Sequence, residues 1–185
     1  MCKAEEVRQD PIIIQPHDPA WAQAFDLQKA AVTSALAGRL VAPVEHIGST
    51  SVPGLPAKPI IDMLAVVDDY AAFSPELLQL KRIGWLPAPE PGDESSRKWS
   101  ACFPTVEYRT HHLHVVEQTS TSWRDWLLFR DYLRCHVQAA ERYADLKREL
   151  AAADRGDRAR YRAGKAPLID ELMQLARDWN GSRRP

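Results

Sequence analysis

Hydrophobic positions follow two different patterns along the chain. Up to about residue 118, short apolar runs of strand length alternate with segments in which apolar residues recur at helical spacing. Beyond that point the helical spacing prevails. The first pattern predicts an α/β core over about residues 12–118, and the second predicts a helical part over about residues 119–185. Because the predicted helices are short enough to pack back on the sheet, we expect a single domain over residues 1–185.

Helices and strands alternate in the predicted α/β core. Asp18 is a suitable N-cap and Pro19 a suitable first residue for a helix that ends at Gly38. A second helix is predicted over residues 74–84, and the segment 86–96, rich in Pro, Gly, Glu and Ser, predicts a mobile surface loop. The strand candidates are residues 40–47, 60–67, 97–104 and 110–116.

The connection between the first two strand candidates has the composition of an anion-binding loop. Gly48 and Ser49 follow an apolar run directly, and glycine lets backbone N–H groups approach a phosphate closely. Further donors in this loop are Thr50, Ser51 and, at its end, Lys58. Neither GxxxxGK[ST] nor GxGxxG is present, so a Pro- and Gly-rich turn without a ligand remains an alternative.

Candidate metal ligands lie on two of the predicted strands. Asp62 interrupts an apolar strand, and a buried carboxylate there would need a partner such as Mg²⁺. His112 and His114 alternate along another strand, which places both imidazoles on one face at a separation of about 7 Å. His46, just before the glycine loop, would join them if its strand were a neighbour. The alternative is a pair of half-exposed histidines on a polar sheet face.

Two basic residues of the helical part are candidate anion ligands. Arg130 lies in an aromatic segment and, if it points inward, needs an anion. Lys165 precedes Pro167, which predicts a position near the start of the last helix, where a lysine suits a triphosphate or a carboxylate. Either residue could instead be an ordinary surface charge.

Composition removes several classes of function. The formal net charge of −1 provides no basic field for nucleic acid, and no apolar run approaches the length of a membrane span. The first residues contain no apolar core of a secretory signal. Cys2, Cys102 and Cys135 are far apart and form no disulfide framework. We therefore expect a reduced, cytoplasmic protein that binds no membrane, and the sequence contains no strong signal for nucleic-acid binding.

The sequence resembles the GrpB family over about residues 14–179. The segments that carry this resemblance are "HDPAW", "HIGSTSVPGLPAKPIIDML", "HHLHVV", "LFRDYLR", "YADLK" and "YRAGKAPLID". GrpB proteins in turn resemble the nucleotidyltransferase superfamily, and a related domain is fused to some dephospho-CoA kinases. The resemblance implies an α/β (α+β) fold: a nucleotidyltransferase-like mixed β-sheet flanked by helices, with a C-terminal helical segment packed on it.

The resemblance also assigns roles to individual residues. Gly48 and Ser49 match the superfamily's phosphate-holding pair, and Asp62 matches one of its metal-binding carboxylates. The second carboxylate is missing, because the positions two residues away hold Ile60 and Leu64. Candidates for the missing ligand are His112, His114 and Glu107.

Three hypotheses about function follow. In the leading hypothesis, Mg²⁺ or Mn²⁺ is held by Asp62, with His112 and His114 as further ligands or as the base. A nucleotidyl group then passes from a nucleoside triphosphate to an unknown acceptor, with Ser49, Ser51, Lys58 and Lys165 on the phosphates. The second hypothesis is a non-catalytic accessory module that binds a nucleotide or a CoA-like molecule. The third is a hydrolase with Zn²⁺ or Mn²⁺ on His46, Asp62, His112 and His114.

Overall fold

The computed structural model of the protein describes residues 10–182, so Cys2 and most of the segment tested for a secretory signal lie outside the described residues. The α-helices in this range are α1 (Ala20–Ala35), α2 (Ser74–Arg82), α3 (Ser122–Cys135), α4 (Val137–Ala153) and α5 (Arg158–Gly181). The strands are β1 (Glu45–Ile47), β2 (Ile61–Val67), β3 (Leu86–Pro87), β4 (Lys98–Pro104) and β5 (Arg109–Glu117). No helix within residues 10–182 combines the length and the apolar character needed to cross a bilayer.

The strands form one mixed sheet in the order β1-β2-β5-β4-β3. β2 and β5 are parallel, and the other neighbouring pairs are antiparallel. The parallel register places Asp62 opposite His112 and Leu64 opposite His114. Because side chains alternate across a strand and paired residues share a face, these four side chains lie on one face of the sheet. The predicted mixed sheet flanked by helices is confirmed.

Each face of the sheet packs against different helices. Met63, Ala65 and Val67 of β2 face the core beneath α1 and α2, where Trp21 and Phe25 are also buried. The opposite face is covered in part by α3. Its residues Trp123, Trp126 and Leu127 pack against Leu64, Val66 and Val116. As the sequence predicts, the backbone N–H of Ala20 donates to Asp18 Oδ1 over 2.9 Å at the start of α1.

The C-terminal helices pack against the glycine loop as well as against each other. Val52 and Leu55 of that loop belong to one buried apolar cluster with residues of all three helices. The helical members include Tyr132 of α3, Tyr143 of α4 and Leu172 of α5. The prediction of a C-terminal helical segment packed on the α/β core is therefore confirmed, with contacts both at the loop and, through α3, on the sheet.

Three predictions about element boundaries were wrong. The strand predicted over residues 40–47 begins only at Glu45. The segment 86–96 contains β3, which pairs with β4 at the edge of the sheet. The last helix begins at Arg158, because the Asp157 carboxylate accepts a 2.8 Å hydrogen bond from the Arg160 backbone N–H. Pro167 is therefore inside α5, and Lys165 lies in its interior instead of beside its N-terminus.

Candidate functional site

Asp62, His112 and His114 converge on one face of the sheet, on the adjacent strands β2 and β5. One ligand atom from each lies within 4.8 Å of the other two. Asp62 Oδ1 is 3.8 Å from His112 Nδ1 and 3.7 Å from His114 Nε2, and the two imidazole centroids are 5.2 Å apart. The three residues predicted from the sequence as a metal-binding and catalytic group are thus brought together.

The environment of Asp62 favours its charged form. Burial acts to raise the pKa of Asp62, but its interactions with His114 and then with His112 outweigh it, so the pKa lies below its usual range. The Asp62 side chain is still 32% exposed, which leaves the carboxylate accessible from solvent. Trp126 of α3 covers the neighbouring imidazole of His114, with 5.3 Å between the ring centroids.

The donor set fits a divalent transition metal better than Mg²⁺. Two imidazoles and one carboxylate are typical ligands of catalytic Zn²⁺ and also suit Mn²⁺, whereas Mg²⁺ prefers oxygen ligands. Two buried polar atoms nearby, His114 Nδ1 and Ser100 Oγ, have no hydrogen-bond partner within residues 10–182. They lie on directly paired positions of β5 and β4, so a polar ligand at this face would find unsatisfied groups.

Gly48 brings the glycine loop directly against Asp62. Its φ of 69° lies in the region that favours glycine, and a Cβ built there would lie 2.4 Å from Asp62 Oδ2. Any side chain at this position would therefore collide with the candidate metal ligand. The glycine is required by close approach of the loop backbone to the carboxylate.

Two hydroxyls of the loop maintain its shape instead of facing the site. Thr50 Oγ1 donates to the Ile60 carbonyl over 3.2 Å and accepts a 3.0 Å hydrogen bond from His46 Nε2. Ser51 Oγ donates to the Gly48 carbonyl over 2.6 Å. The structure therefore gives Thr50 and Ser51, both predicted phosphate ligands, internal partners.

His46 lies on the opposite face of the sheet from His112 and His114. It pairs with Met63 across β1 and β2 and stacks on Phe25 with 4.7 Å between the ring centroids. Burial lowers the pKa of His46 to about 4, which keeps the imidazole neutral. The structure does not bring His46 to Asp62, His112 and His114, because each strand alternates its side chains between the two faces.

Ser49 is held by a buried lysine that was not predicted from the sequence. Lys147 Nζ of α4 donates to Ser49 Oγ over 3.0 Å and also to the Pro56 carbonyl. Lys147 is only 2% exposed, and burial, together with the charges of Lys165 and Arg148, lowers its pKa to about 7. Its position on the buried stripe of α4, four residues after Tyr143, is a signal that could have identified it.

Lys165 approaches the site from the interior of α5. Its Nζ lies 4.5 Å from the centroid of the Tyr161 ring. Burial lowers the pKa of Lys165, while the negative charge of Asp62 opposes this effect. Among the predicted phosphate ligands, Lys165 is therefore one whose positive charge interacts with the Asp62 carboxylate.

Lys58 and Arg130 have protein anions as partners. Lys58 Nζ lies 3.2 Å from Asp10 Oδ2. Arg130 Nη1 donates to Glu45 Oε2 over 2.8 Å and to the His46 carbonyl over 3.0 Å. The expectation that Arg130 points inward toward an anion agrees with this geometry, but the anion is a side chain of β1. The structure does not bring Lys58 or Arg130 to Asp62.

Glu90, a carboxylate that was not predicted as a site residue, lies beside the histidine pair. Its Oε1 is 3.7 Å from His112 Nε2, and its Oε2 accepts a 3.1 Å hydrogen bond from Lys98 Nζ. Its backbone N–H donates to Asp93 Oδ2 over 2.9 Å, which closes the turn. Glu107, the carboxylate considered as a substitute ligand, lies between β4 and β5, outside the Asp62 group.

Comparison with known proteins identifies relatives over most of the chain. The sequence model of the GrpB protein family matches residues 11–175. The UPF0157 protein YqkA of Bacillus subtilis is 37% identical over 167 residues, which cover 90% of this chain and 48% of YqkA. A dephospho-CoA kinase of Mycolicibacterium paratuberculosis is 26% identical over 200 residues, covering 96% of this chain and 49% of the kinase. The chain thus spans about half the length of both relatives.

A solved structure has the same fold. The crystal structure of the conserved protein GrpB from Enterococcus faecalis superimposes with a TM-score of 0.79 at 32% sequence identity. The match covers 89% of this chain and 96% of that chain. The structural similarity therefore extends over most of the chain.

Proposed function

The chain belongs to the GrpB family, and from the group formed by Asp62, His112 and His114 we propose that it is a divalent-metal-dependent enzyme acting on a nucleoside triphosphate. The observation that carries the proposal is the convergence of three ligand atoms within 4.8 Å beside a loop that only glycine allows to approach Asp62. The proposed reaction is transfer of a nucleotidyl group to an acceptor.

The donor set specifies how this site would hold its metal. Asp62, His112 and His114 would be the ligands, with Mn²⁺ or Zn²⁺ favoured over Mg²⁺ because two of the three donors are imidazoles. A bound ion of this kind neutralises phosphate charge and activates an oxygen nucleophile.

The chain's own residues would bind and orient the phosphates. Lys165, whose charge is coupled to Asp62, would offset negative charge on the substrate. Lys147 holds the Ser49 hydroxyl by donating to its oxygen, and this contact fixes the loop that begins at Gly48. A phosphate would approach the backbone of this loop at the exposed Gly48, because the N–H groups of Ser51 and Val52 donate within the loop.

A panel of nucleotides tests the proposal. Metal-free protein is reloaded with Mn²⁺, Zn²⁺ or Mg²⁺ and assayed for nucleotide conversion, with thermal melting measured in parallel. We expect metal-dependent conversion that falls at least about 100-fold in Asp62→Asn. The matched control is Asp145→Asn, which removes a carboxylate that is 67% exposed and paired within its own helix. If no nucleotide is converted and none shifts the melting temperature, the proposal is contradicted.

A metal-dependent hydrolase is the second candidate, and the imidazole-rich donor set favours it. Two histidines and one carboxylate are the ligands of several zinc hydrolases. In this case water is the acceptor, so the product is free nucleotide instead of a nucleotidylated acceptor. Nucleotide-induced stabilisation without any turnover would instead identify an accessory module that binds nucleotides.

A further inference from the structure

Glu90 occupies the position that a supporting carboxylate needs beside the candidate metal ligands. We propose that Glu90 is a positioning residue, which accepts a hydrogen bond from His112 when His112 binds a metal ion. The inference rests on the proposed function, because it concerns the same metal centre. It assigns a role to the segment 86–96, which the sequence alone predicts to be a surface loop.

The orientation of His112 determines which nitrogen can bind the ion. Its Nδ1 faces Asp62 Oδ1 at 3.8 Å, so Nδ1 is the nitrogen on the side of the other ligands. An imidazole that gives the Nδ1 lone pair to a metal carries its proton on Nε2. Metal-binding histidines almost always donate this second N–H to a carboxylate, a carbonyl or water.

Two side chains of opposite character compete for His112 Nε2. Arg109 Nη1 lies 2.7 Å away, and a guanidinium can only donate, so Nε2 is the acceptor in this arrangement. Glu90 Oε1 lies 3.7 Å away and can only accept when ionised. Two donors cannot share one hydrogen bond, so metal binding through Nδ1 requires Arg109 Nη1 to leave Nε2. Glu90 is the carboxylate placed to accept from Nε2 in its stead.

The surrounding contacts allow this exchange without dismantling the site. Arg109 remains attached through Nε, which donates to the Val106 carbonyl over 3.1 Å, so only its Nη1 must leave His112. Lys98 Nζ holds the other carboxylate oxygen of Glu90 at 3.1 Å. Lys98 is itself fixed by Asp93 Oδ1 at 2.9 Å, a contact that does not depend on Glu90.

Metal affinity of the full chain, measured by calorimetric titration with Zn²⁺ and with Mn²⁺, tests the role of Glu90. We expect Glu90→Ala to raise the dissociation constant about 10- to 100-fold. Glu90→Gln should lose much less, because its amide oxygen still accepts a hydrogen bond. Glu107→Ala, which removes a carboxylate from the nearby hairpin turn, is the matched control and should bind like the wild type.

The outcomes separate this inference from the proposed function. Wild-type affinity in Glu90→Ala would overturn the positioning role while leaving the metal centre intact. A loss in Glu90→Gln as large as in Glu90→Ala would also overturn it, since the carboxylate charge and not hydrogen-bond acceptance would then be required. Absence of Zn²⁺ and Mn²⁺ binding in the wild type would overturn the metal centre, and the role of Glu90 with it.

Discussion

At Gly48 the conformation of the loop and the position of a metal ligand constrain each other. Substitution of Gly48 by alanine places a side chain on a backbone of φ 69° and ψ −174°, a region nearly confined to glycine, which costs about 1–3 kcal/mol of stability. The same Cβ would also displace the Asp62 carboxylate, 2.4 Å away. We therefore expect Gly48→Ala to lower both the free energy of unfolding and the affinity for Zn²⁺, measured by urea titration and calorimetry.

Gly54 provides the matched control, because its φ of 78° is similar and no atom of residues 10–182 lies within 4 Å of a Cβ built there. Gly54→Ala should also lose stability, because its φ is positive, and should keep wild-type metal affinity. Equal metal affinity in Gly48→Ala and Gly54→Ala would contradict the claim that the glycine is required by Asp62.

The lowered pKa of Lys147 predicts that the free energy of unfolding depends on pH. Burial lowers its pKa to about 7 in the folded protein, whereas an unfolded lysine titrates at about 10.4. Between these values the unfolded chain binds more protons, so the free energy of unfolding rises with pH, by at most about 1.4 kcal/mol per unit. Relative to Lys147→Met, the wild type should therefore gain stability from pH 7 to pH 9 in urea titrations.

The comparison isolates Lys147 because the other charges that face it, Lys165 and Arg148, are present in both proteins. A stability difference that does not change between pH 7 and pH 9 would show that Lys147 keeps an ordinary pKa in the folded state.

Side-chain alternation made some site residues predictable from sequence. Asp62, His112 and His114 follow from the period of a strand and the polarity of an otherwise apolar run, since both signals are local. Lys147 and Glu90 were missed because their roles depend on packing between distant segments. Lys147 meets Ser49 across 98 positions, and Glu90 reaches His112 only because β3 pairs with β4.

At the level of elements, α3 is attached to the start of the glycine loop by arginines. Arg130, whose side chain is 11% exposed, donates to Glu45 and to the His46 carbonyl, while Arg134 donates to the Ser51 carbonyl. Removing Arg130 leaves acceptors on β1 without their charged donor. We expect Arg130→Ala to lower the free energy of unfolding by about 2 kcal/mol, measured by urea titration.

An exposed arginine pair gives the comparison for Arg130. Arg142 of α4 bonds Glu171 of α5, but both side chains are about half exposed, at 53% and 51%. Arg142→Ala should therefore cost less than about 1 kcal/mol. If Arg130→Ala lowers the free energy of unfolding no more than Arg142→Ala does, the hydrogen bonds between α3 and β1 stabilise the fold no more than an exposed ion pair.

Element types were more predictable than their boundaries. The strands over 60–67, 97–104 and 110–116 were predicted nearly as observed, because apolar runs of strand length were bounded by turn residues. The start of α5 was predicted near Pro167, but this proline is tolerated inside the helix. The Asp157 cap, at which α5 begins, was overlooked. A two-residue strand such as β3 has no periodicity to detect and exists only through its partner β4.

For the whole molecule, the site joins the two predicted parts of the chain. The candidate metal ligands belong to the sheet, but Lys147 and Lys165 come from α4 and α5. Val52 and Leu55 of the glycine loop are buried against these helices. Residues 119–182 therefore complete both the core and the site, and we expect the chain to unfold as one unit.

This cooperativity is testable with two versions of the chain. Tryptophan fluorescence and far-UV circular dichroism of the full chain should report the same urea midpoint in a single transition. A chain that ends at residue 118 should show no cooperative transition, because removal of the helices exposes the apolar cluster on the loop and leaves Ser49 without Lys147. A cooperative transition in the shortened chain, or two separate midpoints in the full chain, would show that the α/β core folds independently of the helices.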